Sequence, residues 1–175
     1  MSSSKISFLL FTLSLILISH APMPASGESL YERICKEYAK RTDDCLLILK
    51  SDSRIPTATN FLDLSNFILD FALKNGVEGQ SFFSDLGKKN PSQAINQCAK
   101  VYYTSMVAAF KGAMSELKEH PDMARYQTSI ATDDSKKCVS AIEGEKISNP
   151  EIDEINKVMS ILCDAAFIAI VDYEK

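Results

Sequence analysis

Five cysteines are the residues of this chain most able to form bonds, and their spacing limits how they are used. Nine residues separate Cys35 from Cys45 and thirty-nine separate Cys98 from Cys138, with Cys163 left over. The first four permit three pairings, and sequence alone does not choose among them. Neighbour pairing is the natural one geometrically. Cys35 to Cys45 would close a small hairpin, and Cys98 to Cys138 would tie together two longer segments. A zinc site is not expected, because there is no Cys-x-x-Cys and only His120 remains beyond an N-terminal leader. Cys163 falls on an apolar stripe with Leu162, Ala166 and Phe167, where a free thiol packs as a small hydrophobe rather than reacting.

Other catalytic constellations are missing. A Ser or Cys nucleophile needs a base beside it, and His120 stands before a proline, at a helix cap. The acidic pairs Asp43-Asp44 and Asp133-Asp134 read as solvated helix surface rather than as acid and base. No glycine-rich phosphate loop is present, and Lys88-Lys89 and Lys136-Lys137 are too short to grip a nucleic acid. No cofactor is expected. These absences point to a binding protein and not an enzyme.

The compartment follows from the first residues. Lys5 precedes an apolar run from Phe8 to Ile18, and Ala25-Ser26-Gly27 supplies small residues for cleavage after Gly27, the pattern of a secretory signal peptide over 1–27. The run is well short of the roughly 20 residues that span a bilayer. The mature chain, 28–175, is expected to be exported, without a membrane anchor and in an environment that favours disulfides. It has 148 of the 175 residues, enough for one domain. Its 18 basic residues against 23 acidic ones leave a net charge of about −5, which disfavours nucleic acid or an anionic membrane as partner. The Asn-x-Ser/Thr pattern occurs only at Asn90, where Pro91 blocks it, so N-glycosylation is not expected.

The elements that must position the cysteines read as helices. Asn90-Pro91-Ser92-Gln93, His120-Pro121-Asp122 and Asn149-Pro150-Glu151 each offer a capping residue followed by proline at the first helical position. After Pro91 the apolar series Ile95, Cys98, Tyr102, Ser105, Met106, Ala109, Phe110, Ala113 and Leu117 advances by threes and fours. Ile152, Ile155, Met159, Leu162, Cys163, Ala166, Phe167 and Ile170 do the same after Pro150. The stretch after Pro121 is less apolar, with Met123, Tyr126, Ile130 and Ala131 leading to Cys138 and Ile142, and should be the most solvated. Phe61, Leu64, Ile68, Phe71 and Ala72 head another long helix, with a kink expected near Gly76 and Gly79. The spacing predicts an all-α protein: an antiparallel up-and-down four-helix bundle over 56–175, preceded by a short helical hairpin over 28–55 that turns near Arg41-Thr42-Asp43.

Taken together these features resemble the plant invertase and pectin methylesterase inhibitor family, a secreted bundle with a cysteine-closed N-terminal hairpin. The segment Leu49-Lys50-Ser51-Asp52-Ser53-Arg54 is similar to the family's Leu-x-Ser-Asp-x-Arg. Ala94-Ile95-Asn96-Gln97-Cys98 with Val101-Tyr102 is similar to its Ala-Leu-x-x-Cys-x-x-x-Tyr. Asp133-Asp134-Ser135 before Cys138, and Asn156, Leu162 and Ala166 near an odd fifth cysteine, also fit. Two stretches depart from the pattern, Thr42-Asp43-Asp44 before the second cysteine and Ser148-Asn149-Pro150-Glu151 at the start of the last helix.

The resemblance implies a non-catalytic inhibitor that blocks the active-site cleft of a carbohydrate enzyme in the plant cell wall, as a 1:1 protein complex. It implies the bridges Cys35–Cys45 and Cys98–Cys138, with Cys163 free. In the family, pectin methylesterase inhibitors use bundle helix surfaces, whereas invertase inhibitors insert a Pro-Lys-Phe loop between the second and third bundle helices. Here Pro121-Asp122-Met123 takes that register, within an expected loop from Lys118 to Ala124, and forms the candidate target contact. An acid in place of the lysine favours pectin methylesterase over cell-wall or vacuolar invertase. A non-inhibitory bundle of the related pollen-allergen type is the third reading.

Overall fold

Proline and asparagine set the helix boundaries, and the apolar period sets which face turns inward. The computed structural model describes residues 27–37 and 41–175. The signal peptide expected over 1–27 lies, except for Gly27, outside the described residues. Helices α1 (Leu30–Glu37) and α2 (Thr42–Lys50) form the hairpin, followed by a 3₁₀ turn at Ile55–Thr57. The bundle consists of α3 (Phe61–Lys89), a rod α4 (93–116), α5 (Pro121–Gly144) and α6 (Pro150–Tyr173). Among the described residues there is no strand. Each bundle helix packs on the next in the chain and α6 closes back on α3, so the four enclose one core. The hairpin lies chiefly against α6.

Two of the proline signals act as expected. Pro121 and Pro150 occupy the first turns of α5 and α6, where the missing N–H costs nothing. The Asn149 side chain accepts a hydrogen bond from the Glu151 N–H at 2.9 Å. His120 stands at the N-cap of α5, but its imidazole makes no capping bond; its carbonyl alone accepts from the N–H groups of Met123 and Ala124. The third signal is displaced. Asn90 is the C-cap of α3, and Ser92 caps α4 by accepting from the Ile95 N–H at 3.0 Å. Residues 90–92 are spent on reversing the chain, so Pro91 precedes the helix instead of opening it. A second donor of this terminus, the Ala94 N–H, reaches Glu145 Oε1 at 2.9 Å across the bundle end.

The glycines at which a kink is expected in α3 do not interrupt the helix. The helix runs unbroken through Gly76 and Gly79, whose missing side chains make room for α4 instead. A Cβ on Gly79 would lie 2.3 Å from Tyr103 Cε1, and one on Gly76 would lie 3.3 Å from Val107 Cγ2. The irregularity falls in α4, where Cys98–Tyr102 forms a π-helical turn. Its extra residue shifts the inward position at the turn by one, so Tyr103 enters the core fully buried while Tyr102, expected there, is only half-buried. Tyr103 then packs against Phe83 with ring centroids 5.0 Å apart.

Helix α5 has the solvated character expected of it. Met123 and Tyr126 are 45% and 58% exposed, and the inward positions are Ala124, Thr128, Ala131, Ser135, Cys138 and Ile142. The buried side chains of α5 are mostly small or polar, whereas α6 buries Ile152, Met159, Ile161, Leu162 and Ile170.

Candidate functional site

Both neighbour disulfides are formed. Cys35 and Cys45 are joined within the hairpin, with Cα atoms 5.5 Å apart, and Cys98 and Cys138 join α4 to α5, with Cα atoms 5.1 Å apart. The second bridge starts in the π-helical turn, so it anchors the one irregular segment of the bundle. Cys163 is free and fully buried. Burial pushes its thiol pKa far up, and the charges of Asp164 and Asp134 push the same way. A thiol so placed stays protonated and inert at any physiological pH.

Around it the core carries a small polar cluster. The Tyr103 hydroxyl donates to Asn156 Oδ1 at 3.3 Å, and burial raises the phenol pKa out of the working range. This cluster holds structure together and offers no proton donor or acceptor for catalysis. His120 is exposed at the end of the bundle. The two acidic pairs divide. Asp43 and Asp133 are exposed, whereas Asp134, expected to be solvated, is 6% exposed and accepts a hydrogen bond from Lys137 Nζ at 2.9 Å. That bond holds the Lys137 pKa above its ordinary value. Among the described residues no group of His, Cys, Asp or Glu gathers to hold a metal, and no helix is long and apolar enough to cross a membrane.

The segment Leu49–Arg54 has a structural role that its motif did not reveal. The Arg54 guanidinium bridges Asp52 at 2.6 Å and Asp70 of α3 at 2.7 Å, and lies over the Phe67 ring at 5.5 Å from its centroid. Its hydrogen bond holds the Asp52 carboxyl below the usual range. These contacts fasten the chain leaving the hairpin to the start of the bundle. Arg33 of α1 does the same at α6, donating to Asp172 Oδ2 at 3.1 Å and stacking over Phe61.

Pro121, Asp122 and Met123 do not form a loop. They are the first turn of α5, and the connection from α4 is confined to Leu117–His120. Asp122 is exposed at a helix N-terminus, where the backbone dipole favours a carboxylate. Three residues after Met123 on the same helical face comes Tyr126, so the outer surface of α5 begins with two exposed apolar side chains beside an acid. The exposure of Tyr126 agrees with the solvated character expected of this stretch. The neighbouring Arg125 is held by Glu174 at 2.9 Å. Such a face is suited to contact with another protein: rigid, partly apolar and rimmed by charge.

A family model described as plant invertase/pectin methylesterase inhibitor matches residues 29–167. The fold is similar to the crystal structure of mutant form A of a pectin methylesterase inhibitor from Arabidopsis, with 16% identity, 82% of this chain and 96% of that chain covered, and a TM-score of 0.71. It is also similar to that of a pectin methylesterase inhibitor from Arabidopsis thaliana, with 17% identity, coverage of 85% and 97%, and a TM-score of 0.61. No curated protein sequence matches.

Proposed function

This chain belongs to the plant invertase/pectin methylesterase inhibitor family, whose members are inhibitors and not enzymes, and from that premise we propose that it is a secreted inhibitor of pectin methylesterase. It acts in the plant cell wall by forming a 1:1 complex that covers the enzyme's cleft. The family relation supports a proteinaceous inhibitor. The choice of target rests on one observation, the exposed carboxylate of Asp122 in the first turn of α5.

Glycoside hydrolases such as invertase work with paired carboxylates in a cleft. An acid carried into such a cleft on a rigid helix turn would meet like charge in a partly desolvated space, at a cost of up to several kcal/mol. A helix-face contact that leaves Asp122 in solvent at its rim carries no such penalty. In this reading the contact surface is the outer face of α5 centred on Tyr126, with Pro121, Asp122 and Met123 at its solvated rim.

Inhibition assays against both enzymes at mildly acidic pH test the proposal. The wild type should inhibit pectin methylesterase and leave invertase active, and Asp122→Lys should change the first little. Tyr126→Ala should weaken inhibition by about 2 kcal/mol, or roughly thirtyfold, without altering thermal stability. Potent inhibition of invertase alone by the wild type would reverse the assignment. Export is checked by N-terminal sequencing of the mature protein, expected to begin near Glu28.

A further inference from the structure

A second site lies well away from the first turn of α5. Between the C-terminal half of α5 and the N-terminal half of α6 is an open groove of about 390 Å³, centred about 25 Å along α5 from Asp122. Its lining includes Ser135 and Asn156, which are only 4% and 8% exposed. Asn156 Oδ1 is engaged by the Tyr103 hydroxyl, which leaves the Nδ2 donors as its remaining polar group. Among the described residues neither Asn156 Nδ2 nor the Ser135 hydroxyl has a hydrogen-bond partner, and neither is sealed from solvent. Both therefore face the groove without a protein partner, and a ligand seated there can replace the water that otherwise satisfies them.

The rim defines which ligand. Arg41 and Lys136 line the groove and hold no carboxylate at ion-pair distance among the described residues, whereas Lys157 is already paired with Glu154 at 2.6 Å. Two acids, Glu143 and Asp153, line it as well. A metal ion would be repelled by the cations. A compact inorganic anion would be repelled by the acids and has no donor to offer them. No aromatic ring lines the groove, so a flat base has nothing to stack on. A polyhydroxylated carboxylate matches every group present: its carboxylate pairs with cations in charge-assisted bonds, and its hydroxyls donate to carboxylates and accept from an amide. The volume lies in the range of small-ligand sites.

We propose that this groove binds a sugar acid, free or as the end of a uronate chain, with its carboxylate on Arg41 and Lys136 and its hydroxyls between Glu143, Asp153, Ser135 and Asn156. The inference goes beyond inhibition and does not depend on it. NMR titration of the oxidised protein with D-galacturonic and D-glucuronic acids provides the test. Saturable shifts at Ser135, Lys136, Asn156 and Lys157 are expected, with Kd on the order of millimolar as befits a small exposed site. The methyl ester should bind about tenfold more weakly, and Lys136→Glu should lose about tenfold while keeping its thermal midpoint. Tighter binding of trigalacturonate than of the monomer would identify a chain end as the ligand, and equal binding the free acid. Absence of saturable shifts, equal binding of acid and ester, or displacement by sulfate at equal concentration would each overturn the proposal.

Discussion

The hairpin and the bundle carry one disulfide each, but the bridges work on different kinds of structure. Helices α1 and α2 are eight and nine residues long, too short to be stable alone in water, and α2 has no side-chain cap. Their inward residues, Tyr31, Ile34, Ile48 and Leu49, are buried only because the hairpin lies on α6 and the start of α3. The bundle helices run from 24 to 29 residues, the segmented α4 among them, and three of the four have a side-chain cap. The hairpin is thus held by a covalent closure and a few polar fastenings, Arg33 to Asp172 and Arg54 to Asp70. The bundle is held by packing, which its disulfide reinforces. A bridge that makes a unit possible and a bridge that staples an already packed pair should fail differently.

The largest effect is expected from removing Cys98–Cys138. It closes the longer loop, and by chain-closure entropy its replacement with Ala at both positions should cost about 4 kcal/mol, against about 3 for Cys35–Cys45. Thermal unfolding should show one lowered midpoint for the first variant. Hydrogen exchange should show, for the second, loss of protection confined to α1 and α2. Equal global losses would mean that hairpin docking supports the bundle as much as the bundle supports the hairpin.

Gly79→Ala probes bundle packing without touching a disulfide. The new methyl would meet the Tyr103 ring, which is fully buried and hydrogen-bonded to Asn156, so the ring has little room to yield. Overpacking should cost about 2 kcal/mol despite the better helix propensity of alanine, as measured by denaturant unfolding. An unchanged or raised stability would mean that the α3–α4 approach is loose.

A stabilising change is expected at the end of the bundle where α5 turns into α6. Lys146 has φ of 55°, a left-handed conformation for a side-chain-bearing residue, in a turn where its N–H donates to the Glu143 carbonyl and that of Ile147 to the Ile142 carbonyl. Lys146→Gly should raise stability by about 1 kcal/mol without altering hairpin exchange. The smallest effect is expected from Asp172→Asn, which weakens the fastening of α1 to a carboxylate that also accepts from Lys175 Nζ. Because Arg33 is half-exposed, amide exchange in α1 should rise only about fivefold while α4 and α5 stay protected. A loss of protection throughout would show that Asp172 serves the core and not the hairpin.

The sequence was sufficient for the all-α class, the order of the helices, the starts at Pro121 and Pro150 and the apolar face of α6. These features rest on local rules. A proline fixes its own φ and lacks a donor, and a period near 3.6 residues marks one face of one helix. Tertiary structure alone decided the rest. Whether Tyr102 or Tyr103 enters the core depends on one extra residue in a π-helical turn, while Met106, Ala109, Phe110, Ala113 and Leu117 beyond it face inward as their spacing predicts. Whether Gly79 bends α3 or admits a ring depends on a helix that begins several residues later in the chain. Asp134 and Asp172 are buried, and Ser135 and Asn156 share a groove, because helices distant in sequence meet there. Burial is a property of two surfaces at once, and a single chain read in order shows only one of them at a time.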